Sequence, residues 1–215
     1  MDQSPSFALD PEALRERRAA DERFPFNGGH LLARAFQRLG AGPLFTLSGG
    51  HIFPFFDGWV AAGMRIIDHR HEEAAAHAAE AWAKLTRTPG VAAVTAGPGV
   101  TNATTALAAA TFNRSPMVVV GGRAPDFRWG QGSLQEYEHI PVMSAVTKKA
   151  VTVHDGARVH IAAYDLWQEA LAGAPGATFM DIPMDVQVTT VEESEVEWPE
   201  PGGALPDPDP ALIEA

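Results

Sequence analysis

The chain has 215 residues, 46% of them apolar, which is enough for one sizeable domain or two small ones. Its formal net charge of -11 argues against nucleic acid and anionic membrane surfaces as partners. It contains no cysteine, which excludes disulfides, thiolate metal sites and thiol catalysis. Residues 1–26 read as a polar N-terminal extension without the apolar segment of a signal peptide, and a cytoplasmic location is expected. Asp10-Pro11 within it reads as a helix start.

From residue 27 the pattern alternates helix and strand. Leu31, Leu32, Ala35, Phe36 and Leu39 recur at helical spacing, and Gly40 stops that helix. Residues 43–47 predict a buried strand, 51–62 a helix and 64–68 a second strand. A long alanine-rich helix over 71–86 follows, then a strand at 91–95, a helix at 100–113 and a strand at 117–120. A loop is expected from Gly121 to about Leu134, and loops that long in compact domains are usually functional or mobile. A short helix near 138–145, a strand near 150–153, a helix over 156–172 and a last strand at 177–182 complete the pattern.

Short strands, apolar on both faces and separated by helices, predict an α/β fold: a three-layer domain with a six-stranded, mainly parallel sheet covered on both faces. Ligands in such sheets bind beyond the carboxyl ends of the strands. Four segments are placed there: 48–51, 69–73, 96–99 and 121–135. The domain is expected over 27–188. Residues 189–215 read as an acidic, proline-rich linker toward a middle domain this chain lacks. Asp209-Pro210 looks like a helix begun and not finished, so a longer protein is expected.

The strongest chemical signal is Arg70-His71-Glu72-Glu73 at the head of the alanine-rich helix. Paired carboxylates there are commonly solvated partners of the helix dipole. Glu72, however, shares one helical face with Ala76, Ala79 and Ala83, while Glu73 points about 100° away. A narrow alanine face lets a backbone or a flat ligand approach closely. His71-Glu72 lacks the second histidine of a zinc-protease motif, because position 75 is Ala, and no metal site is assigned. His51 follows Gly49-Gly50 at a strand-to-helix turn; it is either structural or an acid/base candidate. Gly97-Pro98-Gly99-Val100-Thr101-Asn102 joins a strand to a helix, and by itself is either a tight turn or an anion-binding one. Gln131 and Gln135 are loop amides, either solvated or able to orient a carbonyl.

Together these segments resemble the N-terminal, pyrimidine-binding domain of thiamine-diphosphate-dependent enzymes. The similarity is greatest to acetolactate synthase-like proteins, with benzaldehyde lyase and oxalyl-CoA decarboxylase more distant. The residues that carry it are Phe45 to His51, Arg70-His71-Glu72, Thr95 to Asn102, Ser115-Pro116, Gly132 to Glu136 and Asp181 to Asp185. The resemblance implies a carboligase or decarboxylase acting on 2-oxo acids, in which Glu72 activates the cofactor at its aminopyrimidine. It further implies catalytic roles for His51 and Gln135 and cofactor contacts from Gly49, Gly50, Pro98, Gly99 and Asn102. His51 stands where many acetolactate synthases have a small residue, which leaves a 2-hydroxyacyl lyase open. A non-catalytic dimerisation or regulatory module is the other alternative. The family's diphosphate half-site carries a Gly-Asp-Gly motif and a later Asn-Asn. This chain has no Gly-Asp-Gly, and its asparagines are only Asn27, Asn102 and Asn113. The resemblance therefore implies thiamine diphosphate bound by its pyrimidine half, with Mg2+ and FAD held by domains outside this chain. The expected partner is a second copy or a complementary C-terminal chain.

Overall fold

A computed structural model describes residues 25–200; the helix starts expected at Asp10 and Asp209 lie outside the described residues. Helix α1 (Gly28–Arg38) is capped by Asn27, whose Oδ1 accepts the His30 amide at 3.2 Å. It ends where Gly40 turns left-handed at φ 77°. Strand β1 (Leu44–Leu47) leads through a 3-10 turn at 50–52 into α2 (Phe53–Ala61). Then come β2 (Ile66–Asp68), α3 (Glu72–Thr86), β3 (Gly90–Val94), α4 (Pro98–Asn102), α5 (Thr104–Phe112) and β4 (Met117–Arg123). The last elements are α6 (Ile140–Ser144), β5 (Lys149–Thr152), α7 (Val159–Leu171), β6 (Ala177–Pro183) and α8 (Met184–Gln187).

The six strands are all parallel, in the order β2-β1-β3-β4-β6-β5. One row across the sheet reads Thr46, Ala93, Val120, Met180 and Val151. Neighbours along a strand face opposite layers, as the pleat requires. Val91, Ala93, Val118, Val120 and Met180 pack under α1, α2 and α7. Ala92, Val94, Met117, Val119 and Phe179 pack under α3, α5 and α6. Fully buried Trp59 anchors the first layer: Phe55 meets it edge-on at 5.4 Å, and its Nε1 donates to the Arg65 carbonyl at 3.1 Å.

The second layer is thin because α3 is built of alanine. A Cβ placed on Gly90 would lie 1.9 Å from the Ala79 carbonyl oxygen, so helix and strand backbones touch. Ala75, Ala76, Ala79 and Ala83 are buried there.

Three local features differ from the sequence pattern. The helix expected at 100–113 is two pieces, bent where the Ala103 amide bonds back three residues to Val100 at 3.1 Å instead of four. Strand β4 continues through Gly121-Gly122-Arg123, because these residues pair with Asp181, Ile182 and Pro183. The glycines there make room rather than a loop: a Cβ on Gly122 would sit 2.5 Å from that of His51. Finally, the acidic stretch after 188 is docked as far as Trp198. Thr190 bridges Asn27, and Trp198 packs on His160 and beneath Arg38.

Candidate functional site

Adjacency of β2, β1, β3 and β4 brings their carboxyl-end segments together. His71 caps α3 from an extended conformation, its Nδ1 accepting the Glu73 amide at 3.2 Å. That geometry turns Glu72 inward at the first helical position, 8% exposed, and leaves Glu73 outside near His77. Glu72 Oε2 accepts from Asn102 Nδ2 at 2.9 Å. Oε1 makes no hydrogen bond among the described residues. Beside it, a Cβ on Gly99 would stand 3.5 Å from Oε1 and only 2.8 Å from Thr95 Cγ2. Glycine is needed there for space.

The turn Ala96-Gly97-Pro98-Gly99 carries this wall. Gly97 has φ 62° and ψ -116°, close to the first central position of a type II′ turn, and the Gly99 amide bonds the Ala96 carbonyl at 3.4 Å. A side chain at Gly97 would be strained and would also meet the Gln135 carbonyl at 2.9 Å. Pro98 opens α4 at a position whose amide would have no partner within the helix. Between this turn and the 133–137 loop lies a pocket of about 230 Å³, lined by Gly97, Pro98, Thr101, Gln135, Glu136 and Tyr137. Gln135 itself adopts a left-handed backbone, φ 55°.

His51 is buried between the β1 and β3 loops. Its Nε2 lies 3.2 Å from the Leu134 carbonyl, so that nitrogen donates, and Nδ1, 3.2 Å from Thr95 Oγ1, accepts. Burial lowers its pKa, and the Leu134 carbonyl partly opposes this. Gly49 lets β1 pass over Thr95 at a distance no side chain would allow. Gly50 is exposed with open space around it.

The structure therefore gathers Glu72, Gly99 and Asn102 in one contact group and His51 and Gly49 in a second, with Thr95 between them. Pro98 and Gln135 face each other across the pocket. The nearby histidines diverge: His69 Nδ1 lies 3.1 Å from the Ile67 carbonyl, while His77 meets Glu80. Among the described residues no group of three or more His, Cys, Asp or Glu is placed to hold a metal.

Sequence reasoning missed a buried polar chain behind the pocket. Asp181, wholly buried in β6, accepts from His139 Nδ1 at 2.8 Å and from Arg123 Nη1 at 3.2 Å. Arg123 also donates to both Glu138 oxygens, each at 3.2 Å, and lies 3.7 Å over the Trp129 ring. The signal was available: a carboxylate inside a mostly apolar strand needs a partner.

Residues 26–142 match the family model described as thiamine pyrophosphate enzyme, N-terminal TPP binding domain. An acetolactate synthase large subunit IlvG of Mycobacterium tuberculosis is 49% identical over 159 residues, 74% of this chain and 29% of that protein. The 2-hydroxyacyl-CoA lyase 2 of Homo sapiens is 37% identical over 160 residues, 74% of this chain and 25% of that protein. The Caenorhabditis elegans 2-hydroxyacyl-CoA lyase 2 is 36% identical over 166 residues. The chain thus spans less than a third of the length of these relatives.

Proposed function

Because the chain belongs to the thiamine pyrophosphate enzymes, as their N-terminal TPP-binding domain, we propose that it is the pyrimidine-binding half of an acetolactate synthase-like carboligase or decarboxylase acting on 2-oxo acids. The observation that carries this reading is Glu72: a buried carboxylate with one oxygen held by Asn102 and the other left free. The residues present fit an aminopyrimidine. Gly99 keeps side-chain bulk away from the carboxylate, and Pro98 and Gln135 line the neighbouring pocket. Thiamine diphosphate, when bound, supplies the carbon nucleophile that the chain's own side chains lack. The chain's part is to place the ring and hold a proton. Glu72 Oε1 would share that proton with a ring nitrogen of the bound cofactor, while Asn102 fixes the carboxylate plane through Oε2. The II′ turn shields the pair from water.

In this reading the diphosphate and Mg2+ are held by a further domain or a partner chain, and flavin, where used, lies outside this domain as well. Leu85 on α3 and Phe112 on α5, 85% and 87% exposed, support association with a second copy or such a partner. His51 supports the second reading, a lyase of 2-hydroxyacyl compounds, since burial lowers its pKa and favours the neutral imidazole that a general base requires.

The test joins this chain to a diphosphate-binding domain and assays acetolactate formation from pyruvate. Glu72→Gln is expected to lower turnover by roughly a hundredfold or more while leaving the melting temperature unchanged. Wild-type turnover in that variant refutes the assignment. Cleavage of a 2-hydroxyacyl substrate without acetolactate formation selects the lyase. No turnover of either by the unmodified protein selects a non-catalytic module.

A further inference from the structure

Behind the Glu72 pocket, the ring of His139 is completely buried, yet both its nitrogens are bonded. Gly97 N–H can only donate, so His139 Nε2, 2.9 Å away, presents its lone pair. The ring proton is therefore on Nδ1 and is given to Asp181 Oδ2 at 2.8 Å. This fixes the tautomer by geometry. The bonded amide is that of Gly97, the positive-φ glycine of the turn that carries Gly99 and opens α4 with Asn102 at its last turn. At its other side, Asp181 holds Arg123 at the end of β4, and Arg123 holds Glu138 and Trp129. The loop that carries Gln135 is thus tied at both ends to the same carboxylate.

We propose that His139, oriented by Asp181, is a positioning residue for the cofactor pocket: by accepting the Gly97 amide it locks the 96–99 turn and the 124–138 loop into one unit around Glu72. It touches no reacting atom. Its effect on the cofactor rests on the reading given above; its effect on the turn does not. An outward-facing amide at the first central position of a II′ turn is otherwise satisfied by water. Here the ring takes that place, so the turn cannot open without leaving a buried imidazole nitrogen unpaired. An N–H at Nε2 would set donor against donor at Gly97, and a flipped ring would present a C–H there in place of the lone pair.

Two near-isosteric variants separate the nitrogens. His139→Gln can keep an acceptor where Nε2 stands, and His139→Asn keeps a donor where Nδ1 stands. In the full chain, amide hydrogen exchange of Gly97, read by NMR, is expected to be near wild type in His139→Gln and about tenfold faster in His139→Asn. Equal protection in both variants, or equal loss in both, overturns the proposal, since mere filling of the core would not distinguish them. If His139→Asn does not fold, His139→Gln decides alone: a Gly97 amide that exchanges tenfold faster there refutes it. Joined to a diphosphate-binding domain, the same pair is expected to differ in the concentration of thiamine diphosphate required for half-saturation, with Asn raised severalfold and Gln rescued. Retained exchange behaviour without any cofactor binding by the unmodified protein would remove the functional reading and leave the turn lock standing.

Discussion

Gly49 offers a test of how tightly the β1 and β3 loops are packed. Its φ of -165° suits any residue, so replacing it tests space alone. A Cβ there would sit 2.3 Å from Thr95 Cβ and 2.5 Å from Thr95 Oγ1. Carbon atoms in contact prefer about 3.5–4.0 Å, so the loops must part by roughly an ångström or more. Both are extensions of hydrogen-bonded neighbouring strands, Leu47 pairing with Val94, and neither can yield cheaply. The same movement breaks the bond between His51 Nδ1 and Thr95 Oγ1. Overpacking of about 1–3 kcal/mol and a lost hydrogen bond of about 1 kcal/mol together put Gly49→Ala roughly 2–4 kcal/mol below wild type. Urea unfolding followed by circular dichroism measures this, with the slope expected to stay constant. Thr95→Gly removes the three nearest atoms the new methyl would strike. The double variant is therefore expected to show a favourable coupling of at least about 1 kcal/mol relative to the sum of the single changes. A Gly49→Ala stability within about 0.5 kcal/mol of wild type, or purely additive effects, would refute the contact argument.

Three further outcomes follow from buried polar groups. Burial lowers the pKa values of His51 and His160 below 6.5, despite opposing carbonyl contacts; the folded state then binds fewer protons than the unfolded one, and stability falls as pH drops below about 6.5. Melting temperatures unchanged between pH 7.5 and pH 5.5 would contradict this sign. Glu80 is also buried, which raises its pKa, but Lys84, Asn113 and His77 more than offset this and bring it below 4.5; it adds a second loss of stability as pH falls through that region, abolished in Glu80→Gln. Asp181→Ala strands Arg123 and His139 without their shared partner and is expected to cost about 3–5 kcal/mol in chemical denaturation; a change under about 1 kcal/mol would mean the network is not coupled as drawn.

Most of the layer plan was legible because a parallel sheet leaves a strong trace: short apolar strands alternating with helices. Glu72 was legible for a related reason, its alanine stripe marking one face of α3 as close-packed. Gly97, Gly99 and Asn102 were visible as a motif, but the meeting of Gly99 and Asn102 with Glu72 was not, since contact across 30 residues depends on which strands are neighbours. The extent of β4 was misjudged because glycine pairs suggest loops, whereas here they clear space under His51. His139 left almost no trace. A lone histidine at the start of a short helix gives no sign that a carboxylate 42 residues later will take its ring proton. Trp198 was likewise hidden inside an acidic stretch whose composition suggested solvent.

The main-chain contact between Gly90 and Ala79 bears on how this domain can diverge. Where two backbones touch, their separation is gauged by peptide atoms, not by the size of whichever side chains happen to fill the gap. The carboxylate at the head of that helix inherits the gauge. Substitutions in the opposite layer, around Trp59 and Phe36, can therefore accumulate and shift bulky side chains without moving Glu72 relative to the sheet edge. The thin layer acts as a fixed ruler and the thick one as the adjustable half.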